Sequence, residues 1–210
     1  MNEFWQTNTI VNNEVCPVDV LENIKTKIKI HHQLYQTLTI KDKYWECILA
    51  QSFIDANFTC NWNPESHVVG KDIVVEGLKH ERISCKSGTW SYLKRKNRLG
   101  QLNISSYRTT KYKTIEEKLN HIDSNHEDIM YSLSSTFFKS KKKYILTIFT
   151  PPKFKKLTWE THTSKKNRID YKSAKLDGVI AKINSTQSDQ LWYKLDYDCS
   201  LIMGRYDIQL

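Results

Sequence analysis

Residues 66–88 read SHVVGKDIVVEGLKHERISCKSG. The segment predicts two short strands joined by a turn, with Asp72 opening the first and Lys86 closing the second. In the second strand Arg82, Ser84 and Lys86 alternate with Ile83 and Cys85, and period-two alternation sends the two sets to opposite faces. A carboxylate, a small oxygen-bearing side chain and a lysine then stand on a strand pair beside a strongly basic segment. Metal-dependent cleavage of a phosphodiester needs a set of that kind.

Outward from this pair, the pattern changes period. Pro17-Val18-Asp19-Val20-Leu21 starts a helix expected to run to about Tyr35, with Val20, Ile24, Ile28 and Leu34 near helical spacing. Lys41–Phe58 predicts a second helix, in which Trp45, Ile48, Leu49, Ser52 and Phe53 share a face and Asn57 sits near the C-cap. Strands are expected near 59–62, 71–76, 81–87 and 101–105. Thr114–Asp123 predicts a third helix, opened by a capping box of Thr114 and Glu117. Strands near 128–135 and 143–149 follow, and Pro151-Pro152 stops the second of them. From Leu157 on, runs of Tyr, Trp, Ile and Thr broken by Gly178, Asn184 and Gly204 predict further strands. The class is α/β or α+β. No repeat, low-complexity tract or long linker divides the chain. A single domain over 1–210 is expected, with helices and core in 1–150 and a strand-rich part in 151–210.

Lys and Arg number 32 against 23 Asp and Glu in 210 residues, a net charge of +9. So basic a chain prefers anionic partners, nucleic acid foremost. A membrane is disfavoured, because no apolar run approaches the length of a span and no basic amphipathic helix shows a clean apolar face. MNEFWQTNT has no charged region followed by an apolar one, so no secretory signal is expected. Cys16, Cys47, Cys60, Cys85 and Cys199 are odd in number and widely spaced, which argues against a disulfide framework and a zinc ribbon. They read as small hydrophobes of a protein in a reducing cytoplasm.

Asp72 followed by Ser84-Cys85-Lys86 resembles the PD-(D/E)xK nuclease superfamily, and within it the type II restriction endonucleases. Gly70-Lys71-Asp72 stands where the family has Pro-Asp, and Ser84-Cys85-Lys86 where it has acid-x-lysine. The resemblance covers roughly Lys41 to Ile129. It implies a central mixed β-sheet flanked by helices and catalysis with Mg²⁺, with Mn²⁺ as a substitute. Asp72 would be the principal metal ligand, joined by the backbone carbonyl of Cys85. Lys86 would orient or deprotonate the attacking water and stabilise developing charge. Ser84 departs from the family, since a hydroxyl stands where a carboxylate is usual. Glu46, on the preceding helix, is implied as the compensating ligand, because many members carry an acid on the equivalent helix. Glu76 shares a face with Asp72 but lies about 13 Å along the strand; Glu81 and Glu65 are further options. Taken singly, Asp72 also reads as a turn residue, Lys86 as a solvated lysine and Glu46 as an exposed helix residue. His67 and His80 have no partner at zinc-ligand spacing.

Between Lys79 and Lys113 lie ten Lys and Arg, opposed only by Glu81 and interleaved with Trp90, Tyr92, Tyr107 and Tyr112. That pattern suits a phosphate backbone, and a solvated loop is the plain alternative. Lys94, Arg95, Lys96 and Arg98 are candidate DNA contacts, and Ser105, Ser106 and Arg108 are candidates for a phosphate near the metal. Lys139–Lys143 with Lys153, Lys155 and Lys156 would extend the track. Lys166, Asn167 and Arg168 are candidates for base readout or further phosphate contacts. The resemblance implies hydrolysis of double-stranded DNA at a defined sequence by a homodimer, leaving 5′-phosphate and 3′-hydroxyl ends. A repair or junction-resolving nuclease of the same superfamily and a non-catalytic DNA-binding protein are the alternatives. No Walker loop, GxSxG or HExxH motif is present.

Overall fold

The computed structural model describes residues 9–35, 39–63, 72–93, 98–125, 127–138, 141–163 and 168–210, with side chains throughout except at 136–142 and 186. Two helices meet one apolar layer of a sheet. Helix α1 (Val18–Leu34) buries Val20, Ile24 and Ile28, and helix α2 (Asp42–Asp55) buries Trp45, Ile48, Leu49, Ser52 and Phe53. All of these but Ser52 share one hydrophobic cluster with Ile73, Val75, Ile83, Cys85, Tyr131 and Leu146. Helix α2 stops in a reversal that its sequence dictates. Asn57 takes a left-handed backbone, φ 64°. Its N–H donates to the Ile54 carbonyl at 2.9 Å, and the Phe58 N–H donates to the Phe53 carbonyl at 3.0 Å. This is the Schellman arrangement, completed by edge-to-face packing of the Phe53 and Phe58 rings 5.7 Å apart.

The strands follow as β1 (Cys60–Trp62), β2 (Ile73–Val75), β3 (Arg82–Ser87), β4 (Thr89–Leu93) and β5 (Arg98–Arg108). After helix α3 (Ile115–Ser124) come β6 (Ile129–Phe138), β7 (Lys141–Phe149), β8 (Trp159–Thr163), β9 (Ile169–Ser173), β10 (Val179–Asn184), β11 (Gln190–Asp196) and β12 (Ile202–Gln209). They form two six-stranded sheets, ordered β1-β2-β3-β6-β7-β12 and β4-β5-β11-β10-β9-β8. The first is mixed: β3 and β6 run parallel, with Ile83 opposite Ile129 and Cys85 opposite Tyr131, and the other neighbours are antiparallel. The second is antiparallel throughout. The architecture is α+β, as expected. At α3 the capping box is formed: the Thr114 hydroxyl accepts from the Glu117 N–H at 3.2 Å, and the Glu117 carboxylate accepts from the Thr114 N–H at 3.2 Å.

The chain divides into two compact units. One is made of Thr7–Gly88, Glu127–Pro151 and Ile202–Leu210, and the other of Thr89–His126 and Pro152–Leu201. The division does not fall near residue 150. Strands β4 and β5 join the later strands because β5 pairs with β11, and β12 returns to the first sheet because it pairs with β7. On its other side β12 bridges to Ile10, with reciprocal N–H···O bonds of 2.9 Å between Ile10 and Arg205. Strand β4 escapes the periodicity because Gly88 alone separates it from β3. Among the described residues no helix is long and apolar enough to cross a membrane.

The parallel pair is clamped at its start. The Arg82 guanidinium donates to Asp128 Oδ1 from Nε at 3.1 Å and from Nη2 at 2.7 Å, and the Asp128 N–H donates to the Arg82 carbonyl at 2.9 Å. Arg82, read from sequence as part of the basic flank, is therefore turned to its own sheet. Burial pushes the Asp128 carboxyl up, but Arg82 outweighs it and holds the carboxyl below its ordinary value.

The left-handed backbone at residue 57 sets a test of the helix stop. A β-carbon in that conformation costs about 1–2 kcal/mol, which Asn offsets by local hydrogen bonding. Asn57→Gly is expected to hold or raise the urea midpoint, and Asn57→Ala to lower stability by about 1 kcal/mol.

Candidate active site

Asp72 stands one residue before β2 and continues its pairing, the Asp72 N–H donating to the Ile83 carbonyl at 3.0 Å. Its carboxylate reaches across to β3. Asp72 Oδ2 accepts from the Ser84 hydroxyl at 2.9 Å and from the Cys85 N–H at 2.6 Å, and Lys86 Nζ lies 3.5 Å away. Oδ1 has no donor among the described residues. The Asp72 and Lys86 side chains are 25% and 24% exposed, so solvent and a substrate can reach them.

Glu46 comes to the same place from α2. Its neighbour Trp45 is fully buried and donates its indole N–H to the Tyr131 carbonyl at 3.0 Å. Tyr131 is opposite Cys85 in the parallel pair, so this bond seats the helix at the level of the site. Glu46 is half-buried there. Burial raises its carboxyl pKa, the Asp72 carboxylate raises it further, and Lys86 opposes both with less effect. Two carboxylates that feel one another, with a lysine beside them, have a use for a cation.

The donor set fits a hard divalent ion. Asp72 Oδ1 and the Glu46 carboxylate supply oxygen and negative charge. The N–H and C=O of an extended residue leave on the same side of the strand, so the Cys85 carbonyl lies on the edge where its N–H meets Asp72. The Cys85 thiol is excluded from this role. It is buried, and burial followed by the Asp72 and Glu46 charges pushes its pKa well up. Among the described residues no group of three or more His, Cys, Asp and Glu is gathered at metal-binding separation. A Mg²⁺-type ion needs only one or two carboxylates and keeps several waters.

The structure brings together Glu46, Asp72, Ser84, Cys85 and Lys86 as a group. Ser84 is 1% exposed and spends its hydroxyl proton on Asp72, so it positions the carboxylate from beneath. The alternative acids are engaged elsewhere. Glu76 accepts from Asn61 Nδ2 at 3.2 Å, and Glu81 braces the β2–β3 turn by accepting from the Gly77 N–H at 3.1 Å. Glu65 and His67 lie outside the described residues. Cys47 is exposed, unlike the buried Cys16, Cys85 and Cys199.

The expected DNA contacts fall in the other unit or outside the description. Lys94, Arg95, Lys96, Lys166 and Asn167 are outside the described residues, as are Lys139 and the side chains of Lys141 and Lys142. Lys143, expected to extend the basic track, is instead turned to its own sheet, 2.7 Å from Asp207. Arg98 is turned to its own unit, 3.7 Å from Asp198 and with its guanidinium 5.6 Å from the centre of the Tyr197 ring. Ser105 and Ser106 are half-buried on β5, Ser105 facing Trp192 across the ladder, and Arg108 is exposed at the strand end. Arg168 is exposed and donates to the Ser185 carbonyl at 3.3 Å. Sequence reasoning passed over a polar face of the second sheet that carries Lys172, Lys182 and Lys194. Its signal was present in IDYKS, VIAKIN and LWYKLD, each with a lysine at an outward position. Comparison with protein-family models, with curated proteins and with solved structures finds no match to this chain.

Glu46 gives the site a pH signature. Its folded pKa is raised, so stability is fullest below the unfolded value and is lost as pH rises through the folded value. Glu46→Gln cannot ionise. Its melting temperature is expected to match that of the wild type at acidic pH and to exceed it at neutral pH, as differential scanning calorimetry across that range would record.

Proposed function

We propose that the chain is a Mg²⁺-dependent, sequence-specific endonuclease of double-stranded DNA, of the type II restriction class. The observation that carries this reading is the cluster of Asp72, Ser84, Cys85 and Lys86 on the strand pair, in which one Asp72 oxygen has no donor among the described residues and Glu46 on α2 feels the Asp72 charge. The mixed sheet with a parallel β3–β6 pair and the resemblance of Asp72…Ser84-Cys85-Lys86 support it, and so does the net charge of +9.

In this reading Asp72 Oδ1, Glu46 and the Cys85 carbonyl hold the ion. Mg²⁺ supplies charge neutralisation at the scissile phosphate and acidifies a water. Ser84 and the Cys85 N–H fix the Asp72 carboxylate, so little reorganisation is needed as the reaction proceeds. Lys86 has three N–H donors and turns one edge to Asp72. The remaining donors orient the attacking water and receive charge on a phosphate oxygen. Attack on phosphorus breaks the bond to the 3′ oxygen, leaving a 5′-phosphate and a 3′-hydroxyl. Two copies related by two-fold symmetry would cut both strands of a palindromic site.

Asp72→Asn keeps an acceptor for Ser84 and Cys85 but removes the charge. It is expected to fold, to lose plasmid cleavage by at least a hundredfold, and to lose most of the rise in melting temperature that Mg²⁺ gives the wild type. Lys86→Ala is expected to lose cleavage while keeping that rise. Wild-type protein that neither cuts plasmid nor is stabilised by Mg²⁺ would be a binding protein instead.

A further inference from the structure

The second sheet has one closed face and one open face. Leu102, Ile104, Ala181, Tyr193 and Leu195 are buried on one side. The residues that alternate with them point the other way, and the register sets them in rows. Lys172 is opposite Lys182, Lys182 is opposite Trp192, and Lys194 is opposite Asn103. Directly paired residues share a face and neighbouring strands are about 4.8 Å apart. Three lysines from three adjacent strands therefore crowd one patch. All three are exposed, and none has an ion-pair partner among the described residues. Lys175 at the margin, by contrast, is paired with Asp196. Glu160, opposite Lys172, is the nearest acid in the rows. Like charges directly opposite one another, as Lys172 and Lys182 are, destabilise a sheet. A polyanion on this face would relieve that cost.

The same patch holds an amide in a fixed orientation. Both N–H groups of Asn103 are used, donating to the Thr89 carbonyl at 2.9 Å and the Gln101 carbonyl at 3.3 Å. Oδ1 is thereby presented as an acceptor only. A hollow of about 640 Å³ lies over Thr89, Asn103, Lys182, Trp192 and Lys194. An acceptor set among cations suits a partner with phosphates and exocyclic amino groups, such as those of cytosine and adenine. Trp192 at the centre is half-buried, unlike the projecting aromatic platform on which a single strand stacks.

We infer that the open face of the second sheet is the duplex-DNA reading surface. Lys172, Lys182 and Lys194 contact phosphates and Asn103 Oδ1 accepts from a base amino group. The inference rests on the nuclease reading for its choice of DNA and supplies the surface that reading requires. The test is binding of a short random-sequence duplex without divalent ions, over a salt series, by fluorescence anisotropy. Replacing all three lysines by Ala is expected to flatten the slope of log K against log salt by about 2 to 3, and Lys182→Gln alone by about 0.9. Asn103→Ala should leave the slope unchanged, and in selection from a randomised duplex library it should relax the preference at a base position. An unchanged slope in the triple variant and in Lys182→Gln overturns the assignment, as does tighter binding of single-stranded DNA of equal length. Plasmid cleavage by the wild type, run alongside, separates the two readings. Cleavage with an unchanged slope removes the sheet face alone, whereas a flattened slope without cleavage removes the nuclease and keeps the surface.

Discussion

A single hydrogen bond, from the Trp45 indole N–H to the Tyr131 carbonyl, fixes the rest of the candidate site. Its net contribution is about 1 kcal/mol, but leaving the indole N–H unpaired in the core would cost about 1–3 kcal/mol. Trp45 is also wholly buried, so the helix is held by packing and oriented by the bond. Because Tyr131 faces Cys85 across the parallel pair, the next residue on the helix, Glu46, arrives beside Asp72 and Lys86. The Tyr131 hydroxyl donates in turn to the Val15 carbonyl, tying the segment before α1 to the same strand. One strand residue thus registers a helix, a sheet and an N-terminal segment.

Electrostatics explains why a hydroxyl suits position 84. Position 84 is 1% exposed, and a carboxylate there would be a third negative group, without solvent, beside two that already repel. A hydroxyl donates where a carboxylate could only accept. It converts the position from a charge to a clamp, leaving the formal charge to Asp72 and Glu46. Lys86 offsets part of that charge without cancelling it, since the shift at Glu46 remains upward.

Much of this was legible in the chain. The apolar spacing around Trp45 and the Thr114–Glu117 capping box are local signals, and the helices formed where they point. Asp72 and Lys86 declared themselves through a strand–turn–strand pattern that needs only short-range information. What the sequence hid was pairing at a distance. Nothing near Ile202 says that it meets Phe149 and not one of the strands just before it, and nothing near Gln101 points to Asp196. Ser84 shows the same limit. Alternation gives a face, but whether that face meets solvent or protein depends on what packs there. The lysines on β9, β10 and β11 were overlooked because each is ordinary alone, and only the register makes them a patch.

The return of β12 has a bearing on how the protein is made. The sheet that carries Asp72 and Lys86 receives its outer strand only after residues 152–201 have been synthesised, and Ile10 waits for Arg205. On the ribosome, β7 therefore keeps an open edge while residues 152–201 are made. Such an edge can recruit strands from other chains until its own arrives. Residues 89–126 and 152–201 can pair meanwhile, and the first sheet closes last. Biosynthesis then has a built-in order, in which the candidate catalytic unit reaches its final form after the unit interleaved with it.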